Sequence, residues 1–401
     1  MPRGLPWACC SPPGRREPRA EVWSMTVRAH DHGQLKVAVL VDRPAAGGKL
    51  ERDPRALEQS RATARAVLDA LCDLGHQPFL LEATTSLLGR LGALAPDLVF
   101  NLATGLGQKK QQANVVALLE VSGVPFTGSP LESHVLALHK PLAKMVFRHW
   151  GIPTPAFQVF QDADQPLHPG LPFPLIVKPS SEGSSVGIGP EAVVGDEGAL
   201  RAAVARVLIE YCQSALVEQF IPGREFTVGV LGNDPPQVLP PEEIVFPPEE
   251  GRVAGEIYGY VMKERDQVER LCPAPLSPEQ RKEIEEIALL SFHALGCRDY
   301  ARVDIRMDQA GVPFVLEVNT MPGLQPGYSE LPRLAQAAGL DYTALVARLV
   351  EEALGRFRRV GGDGALFRCN DRLAVMASPL RGSPAGREFR ARHVAGLPSP
   401  G

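Results

Sequence analysis

The chain has 401 residues, enough for two or three domains with real cores, which excludes a peptide scaffold or a lone binding module. Hydrophobic residues make up 44% and charged residues 22%, near the globular average, so wholesale disorder, collagen and coiled coil are excluded. The net charge of −4 is uneven: residues 1–34 carry five Arg against three acids, residues 356–401 nine Arg against three acids, and residues 35–355 stand at −12. An acidic body argues against nucleic acid as a partner, and the Arg-bearing ends read as solvated tails. No apolar run reaches the roughly 18 residues that a membrane span needs. Seven cysteines without a C-x-x-C pair suggest neither a disulfide framework nor a zinc site, so a cytoplasmic protein is expected.

Residues 1–34 contain eight Gly or Pro and no apolar periodicity, the pattern of an unstructured leader, with Met25 as a candidate start. Leu35 to Val41 is an apolar, β-rich run, and Asp53-Pro54 then supplies a helix N-cap followed by Pro at the first helical position. The stripe Ala64, Val67, Leu68, Leu71, Leu74 has helical spacing and stops at Gly75. Pro78 to Leu81 and Asp97 to Asn101 predict two more strands, and Gln111 to Val121 a helix ended by Gly123. Strands alternating with helices imply a parallel sheet, a first domain over residues 35–128. Ser129-Pro130 predicts the start of a helix running to about Trp150. Beyond it come strands at 157–160, 174–178, 216–220 and 225–231, with long helices only at about 196–212 and 279–295. This α+β pattern divides into subdomains at 129–224 and 225–356. A hairpin over 300–318 and an amphipathic helix over about 342–354 precede a Gly/Pro-rich tail at 357–401.

Two segments carry chemistry. The first is Pro174-Leu-Ile-Val-Lys178 followed by Pro-Ser-Ser-Glu182-Gly183-Ser184-Ser185-Val186-Gly187-Ile-Gly189. Glycines let successive backbone N–H groups turn toward an anion, and a Lys at the strand end adds a charge suited to phosphate oxygens. The plain alternative is a Ser/Gly turn beside a surface Lys. The second is Arg302-x-Asp304-x-Arg306 on one strand and Glu317-x-Asn319 on the next. Residues two apart share a strand face. A turn centred on Gln309-Ala310 would pair Arg302 with Glu317 and bring all five side chains together. Two carboxylates and an amide oxygen are hard ligands suited to magnesium or manganese. The alternative is a solvated salt-bridge ladder. Together the segments specify a nucleotide site of neither the P-loop nor the dinucleotide kind, since G-x-x-x-x-G-K-[ST] and G-x-G-x-x-G before the first helix are both absent. A third segment, Leu216-Val-Glu218-Gln-Phe220-Ile221-Pro-Gly-Arg224-Glu225, offers Glu218 to an adenine amino group and Phe220 with Ile221 to its ring.

With these motifs in this order, preceded by VPFTGSP and ALHK, residues 35–355 resemble an ATP-grasp ligase, and within that superfamily the D-alanine–D-alanine ligase family. The resemblance implies an ATP-grasp fold behind an N-terminal doubly wound parallel α/β domain, with ATP and two Mg2+ or Mn2+ ions as cofactors. Lys140 and Lys178 would contact the ATP phosphates beneath a loop of Ser184, Ser185 and Val186, with Ser184 also catalytic. Glu218, Ile221 and Glu225 would hold adenine and ribose, and Asp304, Glu317 and Asn319 the metals. Arg302 and the Gly323 amide would stabilise a tetrahedral intermediate, Lys263 would touch the γ-phosphate, and Ser329 would face the second amino acid's carboxylate. The implied reaction joins two D-alanines for peptidoglycan synthesis, with small amino acids as partners, no membrane, and a homodimer as an allowed assembly. Another amino acid pair, or a nucleotide-binding regulator without turnover, are the rivals.

The chemistry agrees with the groups themselves. Activating a carboxylate as an acyl phosphate needs positioning and charge neutralisation rather than a nucleophilic side chain. No His stands in a triad or metal spacing, and His134, His139 and His149 read as ordinary helix residues. The chain departs from the family where a Glu would grip the first substrate's ammonium. Here Val41-Asp42-Arg43-Pro44 follows the first strand, leaving Asp42 or Glu51 as substitutes, and Asn101 to Lys110 replaces a Gly-rich acidic loop.

Overall fold

The computed structural model describes residues 33–43, 54–105, 112–181, 189–246 and 268–359. Most of the expected leader and tail, Glu51, Ser184, Ser185, Val186 and Lys263 lie outside the described residues.

Strand β1 (Lys36–Asp42) has five consecutive buried residues, because sheet neighbours flank it and helices cover both its faces. Helix α1 (Pro54–Asp73), strand β2 (Gln77–Ala83), helix α2 (Leu87–Leu94), strand β3 (Leu98–Asn101) and helix α3 (Gln112–Ser122) follow. The three strands form a parallel sheet in the order β2-β1-β3, as the alternation predicts. The two-residue period divides β1 between two cores. Val37, Val39 and Val41 pack with Ala64, Val67 and Leu71 of α1, whereas Ala38 and Leu40 pack with Leu87 and Leu91 of α2 and Val115 and Leu119 of α3. Helix α2 has no forecast in the sequence: its eight residues contain two glycines and follow Thr84-Thr85-Ser86, which reads as loop.

The helix expected from 129 to 150 is two helices, α4 (Leu131–Leu138) and α5 (Lys140–Trp150), separated at His139 with φ −96° and ψ 85°. Pro141 has no N–H to offer the carbonyl four residues back, so the helix stops and restarts with Pro141 in its first turn. Strands β4 (Phe157–Phe160) and β5 (Leu175–Pro179), the two-residue β6 (Val193–Val194), helix α6 (Glu197–Tyr211) and strand β7 (Ala215–Gln219) come next. They make an antiparallel sheet in the order β4-β7-β5-β6, backed by α6.

A second antiparallel sheet is built from β8 (Gly223–Leu231), β9 (Gln237–Val238), β10 (Glu242–Val245), β11 (Glu269–Leu271), β12 (Tyr300–Asp308) and β13 (Pro313–Asn319), in the order β11-β10-β8-β12-β13 with β9 on β8. Gly223 is required where β8 meets β12: it has φ +148°, and a Cβ there would lie 2.0 Å from Met307 O. Helix α7 (Pro278–Ala294) opens with a full capping box between Ser277 and Gln280, and its Ile284, Ile287 and Phe292 pack against Val228, Val230, Val303 and Ile305 of the sheet.

The β12–β13 register corrects the expected one. Near the turn Met307 pairs with Pro313 and Ile305 with Val315, already one residue beyond the expected partners, and a bulge after Asp304 adds one more residue on β13. Arg302 therefore opposes Asn319, and Asp304 directly opposes Glu317. A pattern of alternating residues does not reveal such an insertion.

The chain ends with α8 (Glu330–Ala337) and α9 (Tyr342–Arg359). Helix α9 continues past the expected stop near Leu354 and returns to the first sheet, where Leu345, Val346, Leu349 and Ala353 join Val37, Val39 and Val67 in one core. No helix among the described residues is long and apolar enough to cross a membrane.

A buried ionic clasp fixes this return. Asp299, with no exposed surface, receives Arg356 Nη2 at 2.9 Å, the Gly128 N–H at 2.8 Å and Asn233 Nδ2 at 2.9 Å. Arg356 also donates to the Phe126 carbonyl at 2.8 Å and lies over the Phe126 ring. Removing one partner of a buried pair leaves an uncompensated charge. Arg356→Leu is accordingly expected to lower stability by about 3 kcal/mol, read from urea unfolding. An unchanged midpoint would show the clasp to be incidental.

Candidate active site

Helix α5, strands β5 and β7 and the β12–β13 hairpin meet at one cleft. On β5, Lys178 and Ile176 share a face, and Ile176 pairs with Glu218 of β7, so Lys178 and Glu218 are diagonal neighbours. They form an ion pair, with Lys178 only 6% exposed and Glu218 1% exposed. Lys140, the first residue of α5, anchors this strand to the hairpin. Its backbone N–H donates to Ser180 O at the exit of β5 at 3.0 Å, and its ammonium is paired with Glu317. Lys140 therefore links the lysine-tipped strand to the acid-lined hairpin, beside a cavity lined by Lys140, Glu317 and Asn319. Gln112, at the start of α3, also lines this cavity beside Lys140, Glu317 and Asn319.

On the hairpin, Arg302 grips Asp304 with two hydrogen bonds of 2.9 Å and donates to Glu330 Oε2 at 3.0 Å. Burial opposes the Arg302 charge, but the Asp304 and Glu330 carboxylates outweigh it and hold the guanidinium above its ordinary pKa. Asp304 further accepts from Thr227 Oγ1 at 2.8 Å and from Asn319 Nδ2 at 3.0 Å. The same Asn319 nitrogen lies 3.4 Å from Glu317 Oε1. The two carboxylates are thus close enough to share one positive group, and the donor set is hard oxygen. Among the described residues no group of three or more His, Cys, Asp or Glu forms a metal cage. Such a set suits a small divalent cation that completes its shell with water and phosphate, and does not suit a fully caged ion.

Arg306 departs from the expected convergence. Its Nη2 donates to Gly223 O at 3.2 Å, its Nε lies 3.8 Å from Glu225 Oε2, and its guanidinium stacks 4.9 Å from the centre of the Phe220 ring. Together with buried Ile221 it forms a wall of Phe220, Ile221, Glu225 and Arg306. Gly323 and Ser329 come together at another edge: a Cβ on Gly323 would lie 2.5 Å from Ser329 Oγ, which accepts from the Gln325 N–H at 3.1 Å.

Burial pushes the Lys178 ammonium down to a pKa of about 7, and the neighbouring Lys140 charge pushes the same way. Burial also depresses His134 to about 4, so this residue is a neutral ring hydrogen-bonded to Thr320 Oγ1 at 2.8 Å, one residue beyond Asn319. Asp42 accepts from Thr104 Oγ1 and from the Gly105 N–H at 2.9 Å, so it ties the exits of β1 and β3 together.

The sequence reading missed Lys144, Thr227 and Glu330. Lys144 is fully buried, 2.5 Å from Glu218 Oε1. Its signal was available in the four-residue spacing from Lys140, which puts both on one helix face. Glu330 follows Ser329 directly, but only the fold brings it to Arg302.

The chain is similar to known proteins. Residues 146–351 match the family model described as the D-ala D-ala ligase C-terminus. A D-alanine–D-alanine ligase of Nitratidesulfovibrio vulgaris is 39% identical over 312 residues, 77% of this chain and 95% of the relative. An uncharacterized protein of Sinorhizobium fredii is 35% identical over 328 residues, covering 80% of this chain and 94% of its own. The crystal structure of the Bacillus anthracis D-alanine–D-alanine ligase complexed with ATP superposes with a TM-score of 0.63 at 23% identity, covering 82% of this chain and all of that one. That superposition identifies the fold as ATP-grasp, and the sequence matches make this chain a member of the D-alanine–D-alanine ligase family.

Proposed function

We propose that the chain is an ATP-dependent ligase that joins a carboxylate to an amine through an acyl phosphate, with two D-alanines as substrates and a peptidoglycan precursor as product. The observation that carries this reading is the double attachment of Lys140, to the Lys178 strand through Ser180 and to the acid-lined hairpin through Glu317. One triphosphate can lie between the two.

In this reading Lys140 and Lys178 neutralise the phosphates during transfer to the first carboxylate, a step that needs charge neutralisation and alignment. The wall of Phe220, Ile221, Glu225 and Arg306 offers apolar surface for adenine and a carboxylate for ribose hydroxyls. Asp304, Glu317 and Asn319 would hold magnesium or manganese, which supplies neutralisation of phosphate charge when bound. After the second amine attacks, Arg302 and the Gly323 N–H meet the oxyanion that develops, with Asp304 and Glu330 fixing the guanidinium beforehand. Ser329, beside Gly323, faces the second substrate's carboxylate. The loop residues Ser184, Ser185, Val186 and Lys263 belong to the same reading, as do a cytoplasmic location and a homodimer.

A different first amino acid is the second reading. Asp42, the described candidate for the ammonium grip, is already committed to Thr104 and Gly105, which argues for a rebuilt first-substrate pocket. A panel of amino acids scored for ATP-dependent phosphate release separates the two: D-alanine should stimulate release, and stimulation only by another amino acid would replace the D-alanine assignment. ATP and magnesium binding without product from any pair would instead favour a regulator.

Lys178→Ala, with folding checked by circular dichroism, should cut ligation by about a hundredfold or more. Full activity in that variant would remove the phosphate assignment. Lys178 is charged below its depressed pKa of about 7 and loses its proton as pH rises. Phosphate binding favours the charged form, so ATP affinity is expected to fall between about pH 7 and about pH 9, and the slope should flatten in Lys178→Met. Equal slopes for the two chains, measured by calorimetry, would contradict the assignment.

A further inference from the structure

Lys144 lies on α5 four residues after Lys140, and its side chain has no exposed surface. Its ammonium is 2.5 Å from Glu218 Oε1, donates to Thr154 Oγ1 at 2.7 Å, and lies 5.7 Å from the centre of the Phe157 ring. Thr154 in turn donates to Val315 O at 2.8 Å, so the hydroxyl that receives Lys144 is itself tied to β13. The other carboxylate oxygen of Glu218 is paired with Lys178. One buried carboxylate therefore faces two buried lysines, and the ligation chemistry above employs only one of them. Burial, then the Lys178, Arg148 and Lys140 charges, push the Lys144 pKa well down, and the adjacent Glu218 carboxylate opposes them in holding its proton.

The arrangement has a consequence for the triphosphate. Glu218 is 1% exposed, and a carboxylate so buried is costly without a counter-ion. If Lys178 were its sole cation, a phosphate could take Lys178 only by leaving Glu218 uncompensated. Lys144 is placed to prevent this, since Thr154 and the Phe157 ring hold it against Glu218.

We propose that Lys144 is a positioning residue for the nucleotide: it stays on Glu218 as the permanent counter-ion, and this frees the Lys178 ammonium to turn from Glu218 to the triphosphate. The proposal rests on the phosphate role of Lys178 assigned above. Without Lys144, Lys178 becomes the only cation on Glu218 and is held back from the phosphates.

Lys144→Met keeps the unbranched apolar stem of the side chain and removes its charge. With folding checked by circular dichroism, this variant of the full chain is expected to bind ATP about tenfold more weakly by calorimetry, and to bind adenosine, which has no phosphate, within about twofold of the unaltered chain. In turnover, KM for ATP should rise about tenfold and kcat fall by less than about threefold. In a Glu218→Gln background, adding Lys144→Met should change ATP affinity by less than about twofold, because the carboxylate to be balanced is gone. Thr154→Val, which removes only the hydroxyl that Lys144 donates to, tests the same point if Lys144→Met does not fold, with an expected loss of about threefold for ATP alone. Unchanged ATP affinity in the folded variants, equal losses for ATP and adenosine, or a full loss in the Glu218→Gln background would each overturn the proposal. An unaltered chain that binds no ATP would overturn the ligase reading itself, and one that binds ATP while Lys144→Met does so equally well would overturn only the role of Lys144.

Discussion

A charge removed from water must find an opposite charge, and this requirement shapes the cleft more than any other. Lys140, Lys144, Lys178, Glu218 and Glu317 come from four different elements, and each is matched to a partner of opposite sign. Replacing such pairs with apolar residues is often neutral or favourable for stability alone, so their presence in a region of low dielectric argues for use. An anionic nucleotide with its cations is the ligand for which exchangeable pairs of this kind make sense. In the proposed reading phosphate would take Lys140 and Lys178 and cations would take Asp304 and Glu317, so that the interior would stay close to neutral.

The fold delivers these groups with little freedom left to them. Lys178 and Glu218 sit on adjacent antiparallel strands, and the pleat alone puts them on one face. Lys140 begins a helix because Pro141 ends the previous one, so a backbone rule fixes where the ammonium starts. The bulge after Asp304 sets that residue directly across from Glu317, the closest arrangement the hairpin can give two carboxylates. The glycine at 223 allows β8 to approach β12 closely enough for Thr227 to reach Asp304.

Local chemistry was legible in the sequence, and long-range geometry was not. A Lys at the end of an apolar strand before a glycine-serine run, and acids at alternate positions of a hairpin, announce themselves because few residues separate the parts. The parallel sheet was legible for the same reason, through regular alternation of short apolar runs and helical stripes. The spacing of Lys144 from Lys140 marked a shared helix face, but its burial was hidden, since a charged residue on a helix reads as solvent-facing until the neighbouring sheet is known. The hairpin register was hidden by a turn one residue longer than expected and by one extra residue at the bulge, which no two-residue period records. The clasp of Arg356 on Asp299 and on the Phe126 carbonyl joins positions 57 and 230 residues apart, and nothing local marks it.

The first sheet stands on a framework separate from that of the charge pairs. Ligands of parallel α/β sheets bind beyond the carboxyl ends of the strands, where chain connections diverge. Here those ends carry Asp42 after β1 and Asn101 to Gly105 after β3, and their polar groups are spent on each other: Asp42 on Thr104 and Gly105, Asn101 on Ala103. None of these residues supports the lysines or the acidic hairpin, which hang on α5, β5, β7, β12 and β13. Loops at the strand ends can therefore change which amino acid is accepted without disturbing the charge pairs that handle the triphosphate.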